Sequence, residues 1–186
     1  MIKPSNNVSG KDNQQERLKA IGWVVGFIDG EGCFSVSLHK NPTTKLEWQI
    51  MPEFVATQGE KSLKVLEKLQ SFFDCGRIFV NRRHDNHKEN LYRFCVRSFI
   101  DLKEKIVPFF RENKLQTAKS QDFETFAKII DLMNEREHLS EVGIKKIIGL
   151  AKTMNSRKRK NLFENPQRLY ARVHPFTNVH DIVRPL

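Results

Sequence analysis

No stretch of this chain approaches the ~20 consecutive apolar residues that a membrane-spanning helix needs. The opening residues, Met1-Ile2-Lys3-Pro4-Ser5-Asn6-Asn7, lack the apolar core of a secretory signal. The expectation is an intracellular protein, in a bacterial or archaeal cytoplasm or in an organelle such as a chloroplast or mitochondrion. Cysteine is scarce. Cys33, Cys75 and Cys95 stand far apart with no C-x-x-C spacing, which argues against a disulfide scaffold or a zinc ribbon and for reduced thiols in or near strands. Acidic residues are outnumbered, 22 against 32 basic ones, for a net charge of +10. That balance favours a polyanionic partner, most often nucleic acid. Internal repeats and low-complexity tracts are missing too. Phenylalanine, by contrast, is abundant, with 14 copies in 186 residues, and 39% of the chain is hydrophobic. Such a chain forms one globular domain with a real core and polar tails.

The stretch from Gly22 to Gly32 is the most unusual. Gly22, Gly26 and Gly30 recur every fourth residue inside a helical pattern, although each glycine costs a helix about 1 kcal/mol against alanine. Residues i, i+4 and i+8 lie nearly in line, so the three leave a strip without side chains where a second helix can press. The expected contact face is Gly22, Val25, Gly26, Asp29 and Gly30. Ala20, Trp23 and Phe27 form the opposite, core-facing side. Asp29 and Glu31 stand at the helix C-terminus, where the helix dipole disfavours a carboxylate unless a cation compensates it. A closely approached helix ending in two acids points to a paired metal site at a helix–helix seam.

Residues 1–11 read as a polar tail, and Asp12 with Gln15 as a capping box opening a helix that ends near Asp29. From Cys33 the period changes to two, with Phe34, Val36 and Leu38 against Ser35, Ser37 and His39. Trp48–Thr57 is a second strand, weakened by Pro52, since proline prefers sheet edges. Glu60–Phe73 is amphipathic, with Gly76 as its stop. Arg77–Arg83 and Leu91–Arg97 are two more strands. Phe123, Phe126, Ile130 and Met133 mark a helix, and Ser140 caps another, with Leu139 and Ile144 as a hydrophobic staple. The spacing predicts an α+β fold: two hairpins in an antiparallel sheet with helices on one face. Its organised domain spans 12–155, followed by a basic extension, 156–186, that opens with Ser156-Arg157-Lys158-Arg159-Lys160.

The other sheet face would collect Ser35, Ser37, His39, Gln49, Arg77, Asn81, Arg83, Arg93 and Arg97. A two-stranded ribbon fits a DNA major groove, where Arg reads guanine and Gln or Asn reads adenine. An ordinary solvated face is the alternative. His84-Asp85-Asn86-His87 suggests an HNH-like or zinc site, or, more simply, the turn of the second hairpin.

Val24-Val25-Gly26-Phe27-Ile28-Asp29-Gly30-Glu31-Gly32 resembles the nine-residue motif that names the LAGLIDADG homing endonucleases. The third, sixth and ninth positions match and the first, second, fourth and fifth are apolar equivalents. The eighth is Glu where the motif has Asp, one methylene longer. Phe54-Val55-Ala56-Thr57-Gln58, Lys119-Ser120-Gln121-Asp122-Phe123 and His138–Gly143 followed by Met154-Asn155 are similar to further family segments, in the right order. The resemblance covers about 13–155 and implies an α-β-β-α-β-β-α fold with a saddle-shaped sheet over the major groove. It implies Glu31 as a metal ligand with Asp29 second, Gln58 organising water, and Lys119 stabilising charge. Phosphodiester hydrolysis at such a site uses Mg2+, with Mn2+ as a substitute. One motif per chain implies a homodimer cutting a pseudo-palindromic double-stranded DNA target, and the resemblance implies an enzyme encoded within a group I intron. The same fold also serves RNA maturases that assist splicing of intron RNA, and non-cleaving DNA-binding proteins.

Overall fold

The change of period at Cys33 is the first joint of the fold. The computed structural model describes residues 8–44, 46–82 and 89–154. Helix α1, Val8–Glu31, turns directly into strand β1, Gly32–Lys40. Only glycine fits the joint: a Cβ on Gly32 would lie 2.5 Å from the Ile28 Cγ2 and 2.8 Å from the Ile28 carbonyl oxygen. The helix begins at Val8, so the Asp12–Gln15 pair lies inside it and does not cap it. No proline stands between Pro4 and Pro42 to stop the helix over that polar stretch.

Strand β2, Trp48–Gly59, pairs antiparallel with β1, Phe34 facing Phe54 and Gly32 facing Ala56. Strands β3, Arg77–Asn81, and β4, Leu91–Val96, form the second hairpin, and the sheet order is β1-β2-β4-β3. Pro52 therefore sits in a central strand. The pairing of β2 with β4 stops at Phe54–Val96, so at Pro52 the strand has a neighbour on one side only, the edge-like setting that proline tolerates.

A tight turn, Glu60–Ser62, leads into helix α2, Leu63–Phe73, which buries Leu66, Leu69 and Phe73. Asp74, at φ 48°, ends this helix, not Gly76. Gly76, at φ 80°, instead lets the chain enter β3 beneath the Phe94 ring, where a Cβ would meet carbon at 2.5 Å. After β4 the chain coils again as α3, Phe99–Asp101, a wide turn, Leu102–Ile106, and α4, Val107–Glu112. Pro108 cannot donate to the carbonyl four residues back, and the wide turn just ahead of it accommodates the missing bond.

Helix α5, Lys119–Asn134, and helix α6, Glu141–Thr153, close the described chain. Ser140 caps α6 as expected, its Oγ accepting from Gly143 N at 3.0 Å. The staple does not form: Ile144 is buried, whereas Leu139 is 61% exposed. Arg136, at φ 61°, starts a short turn, Glu137–Leu139, that leads Leu139 outward.

All these helices contribute to one core against one face of the sheet. The Phe34 ring stacks on Phe54 at 5.0 Å and meets Phe110, Phe123 and Phe126 at 5.2–5.5 Å between centroids. Each such ring contributes roughly 1.5–3 kcal/mol by burial, with aromatic geometry adding to it. From α1 the core takes Val24 and Ile28, both fully buried. Trp23 and Phe27 are half-buried beside this stripe, stacked at 5.6 Å with the Lys68 ammonium 4.0 Å from the Trp23 ring centre. Among the described residues no helix is long and apolar enough to cross a membrane.

Candidate active site and nucleic-acid face

The C-terminal end of α1 lacks a basic residue in its last turn, yet its carbonyls are not left alone. Lys119, the first residue of α5, donates from Nζ to the carbonyl oxygens of Ile28 at 2.8 Å and Gly30 at 3.1 Å. An ammonium at this pole compensates the dipole of α1. Burial lowers the Lys119 pKa, opposed by the nearby acidic groups of Cys33, Asp29, Glu31 and Asp122.

The two acids of the motif part company. The Asp29 carboxylate is turned onto the loop before α5. Its Oδ2 accepts from Gln116 N at 2.7 Å, and its Oδ1 accepts from the Thr117 hydroxyl at 2.7 Å and from Thr117 N at 3.2 Å. Burial is the largest single influence and raises its pKa, but these donors and Lys119 together outweigh it and hold it below the usual aspartate value. Glu31 is exposed, and no hydrogen-bond donor among the described residues reaches its carboxylate. Gln58 lies on β2 two residues beyond the Gly32–Ala56 pair, at the same end of the sheet as Glu31, and is half-buried. The fold thus brings Asp29, Glu31 and Lys119 to one end of the sheet with Gln58 on the neighbouring strand. Among the described residues no group of three or more His, Cys, Asp and Glu could hold a metal ion.

The glycine strip is bare. Among the described residues, an added Cβ at Gly22, Gly26 or Gly30 would find no atom within 4 Å beyond its chain neighbours and the nearby backbone of its own helix. Val25 is half-buried alongside.

On the sheet face away from the helices, Ser35, Ser37 and His39 are half-buried along β1, and burial lowers the His39 pKa. Gln49 accepts from Asn41 Nδ2 at 3.1 Å through its Oε1, which orients its amide. Arg77 is exposed and Asn81 half-buried. Arg93 and Arg97 are both paired with Glu53, a buried carboxylate in the middle of the same face. Glu53 was not among the residues expected on this face, although alternation along β2 from Gln49 puts it there; the pairing of β2 with β4 is what brings it to the two arginines. Sequence reasoning also missed Gln116 and Thr117, for which the sequence carries no signal. Arg83, the His84–His87 segment, Asn155 and the basic run from Ser156 lie outside the described residues.

Comparison with known proteins gives this geometry a context. The LAGLIDADG endonuclease family matches residues 24–130. Probable intron-encoded endonuclease 2 of Neurospora crassa is 31% identical over an alignment of 140 residues that covers 71% of this chain and 30% of that protein. This chain therefore spans under a third of that relative's length. The crystal structure of the homing endonuclease I-TnaI superimposes with a TM-score of 0.67 at 37% identity, covering 84% of this chain and 97% of that one. I-SmaMI, solved bound to an uncleaved DNA target in the presence of calcium ions, gives 0.67 at 32% identity over 82% of this chain and 48% of its own. With more than half of its length matched by the family and the helix-to-strand joint formed by the motif itself, this chain belongs to the LAGLIDADG endonuclease family.

Proposed function

We propose that two copies of this chain form a site-specific, metal-dependent endonuclease for double-stranded DNA, of the kind encoded within introns. The observation that carries this reading is the end of α1. A glycine strip with open space beside it leads to an exposed Glu31 whose carboxylate has no donor among the described residues. Packed about a two-fold axis, two such strips bring two Glu31 carboxylates together, one for each strand of the target. I-SmaMI supports the pairing: this chain corresponds to about half of a chain solved on its DNA target. Two-fold pairing calls for a pseudo-palindromic site.

Glu31 is the residue suited to hold Mg2+, because a hard cation prefers oxygen ligands and this carboxylate is available. When bound, such an ion supplies an activated water and neutralises charge developing on the phosphate. The carboxylate of Asp29 already serves three donors, so its role is to hold the 116–117 loop against α1. That loop starts α5, and with it Lys119 comes to rest beside Glu31. A lysine with a lowered pKa next to the scissile phosphate stabilises developing negative charge and can pass a proton to the leaving oxygen. Gln58 orients water from the adjoining strand. The cationic sheet face binds the duplex, with Gln49 and Arg77 toward base edges.

The test compares wild type with Glu31→Gln on duplex DNA joining the two sequences that flank the host intron, with Mg2+ and Ca2+ in parallel. Cleavage by wild type in Mg2+ alone, with both proteins binding equally, is the expected result. Binding by wild type without cleavage would overturn the nuclease reading, and a wild type that runs as a monomer on its target would overturn the pairing.

A further inference from the structure

Glu53 is the only buried charged residue among the described residues, 5% exposed, and it lies on the face that this reading gives to DNA. A negative charge there opposes binding to phosphates, so its presence calls for a reason. Arg97 gives Nε to one of its oxygens, Oε2, and Arg93 gives Nη2 to the other, Oε1. Cys95, between them on β4, donates its thiol to Oε2 at 3.3 Å. Arg93 and Arg97 start roughly 13 Å apart along the strand, at about 3.3 Å per residue. Left alone, two like charges on one strand face would splay apart; Glu53 draws both onto a single carboxylate.

Arg97 also lies over the Phe79 ring, 5.9 Å from its centre, and the Arg97 side chain lines a hollow of about 490 Å³ with Arg77, Phe79 and Asp101. Burial pushes the Cys95 thiol up to about 12, with the Glu53 carboxylate adding to the effect, so it remains a neutral donor. A guanidinium carries five N–H donors, and the carboxylate engages one nitrogen of each arginine.

We infer that Glu53 is a positioning residue for sequence reading: it fixes the direction of the Arg93 and Arg97 guanidiniums at the centre of the DNA-facing sheet and cancels one of their two charges. It thereby exchanges general attraction for phosphate against a fixed orientation toward base edges. The inference rests on the DNA-binding reading above. Removing the charge while keeping the shape, in Glu53→Gln, should strengthen binding to unrelated DNA and steepen its salt dependence by up to about one phosphate equivalent. Preference at the base pairs beneath the two arginines should fall roughly five- to 150-fold, the discrimination one bidentate contact supplies.

The experiment selects binding sites from a randomised duplex library in Ca2+ with wild type, Glu53→Gln, Arg93→Lys and Arg97→Lys, each checked by thermal melting. The expected result is a wild-type consensus that loses definition at one shared set of base pairs in all three variants, with affinity for unrelated DNA raised only in Glu53→Gln. The lysine variants keep the charge and remove the planar fork, so they test the same positions if Glu53→Gln does not fold. A folded Glu53→Gln with the wild-type consensus at full strength would overturn the positioning role while leaving DNA recognition in place. Lysine variants that keep the consensus would do the same. A wild type that selects no sequence would overturn both readings at once.

Discussion

Placing one methyl group on the bare strip should have opposite effects on the single chain and on the pair. In the isolated chain a Cβ added at Gly26 would meet no atom of the described residues within 4 Å beyond its chain neighbours and the nearby backbone of its own helix, so Gly26→Ala adds nothing to be squeezed. It removes the backbone-entropy cost of a mid-helix glycine, worth about 1 kcal/mol. For a domain of this size that raises the melting temperature by roughly 2–4 °C. In a two-fold dimer the same methyl appears twice at the closest approach of two helices. Overpacking typically costs about 1–3 kcal/mol per site, so the pair loses about 2–6 kcal/mol, a dimer roughly thirtyfold to twenty-thousandfold weaker. The assay is a series of thermal melts from dilute to concentrated protein, with sedimentation at each end. Wild type should melt higher as concentration rises, Gly26→Ala should melt above it in the dilute limit, and the order should reverse at high concentration. A variant that dimerises like wild type, or one destabilised in dilute solution, would refute the reasoning.

Asp29 gives a pH-dependent prediction. Its pKa is depressed in the folded chain, so the contribution of its hydrogen bonds is present above the unfolded value near 3.8 and is lost as pH falls through the folded one. The amide shifts of Gln116 and Thr117 should therefore titrate with a midpoint below 3.8 in wild type and remain flat in Asp29→Asn. A midpoint at or above the unperturbed value would show that the loop is held by something else. Phe34→Ala removes the ring at the centre of the aromatic cluster and should cost about 3–5 kcal/mol, read from urea denaturation. A loss below about 1.5 kcal/mol would mean that the neighbouring rings collapse into the space more freely than their packing implies.

What could be read from the chain was whatever repeats over a few residues. Phe34, Val36 and Leu38 announce their strand because burial on one face imposes a period of two whatever the partner strand is. The glycines at 22, 26 and 30 announce a bare strip because helix geometry alone aligns them. Pairings across long separations leave no such trace. Asp29 meets Gln116 and Thr117 from 87 and 88 positions away, and nothing in either segment specifies the other. That is why Asp29 and Glu31, two acids in the same short motif, read alike in sequence and differ in the fold: one carboxylate closes a loop and the other stays open. Glu53 is an intermediate case. Alternation put it on the face of Arg93 and Arg97, but a face read as a row of cations hides an acid whose effect depends on which cations reach it. Helix boundaries failed for a third reason. A capping pair at Asp12 and Gln15 describes a start that the backbone could use, and the chain continued its helix past it because no breaker stood in the way. Local chemistry states what a residue can do, and only the tertiary partner decides which of those options is taken. The functional difference between two acids of one motif is therefore a property of the loop that reaches back to them.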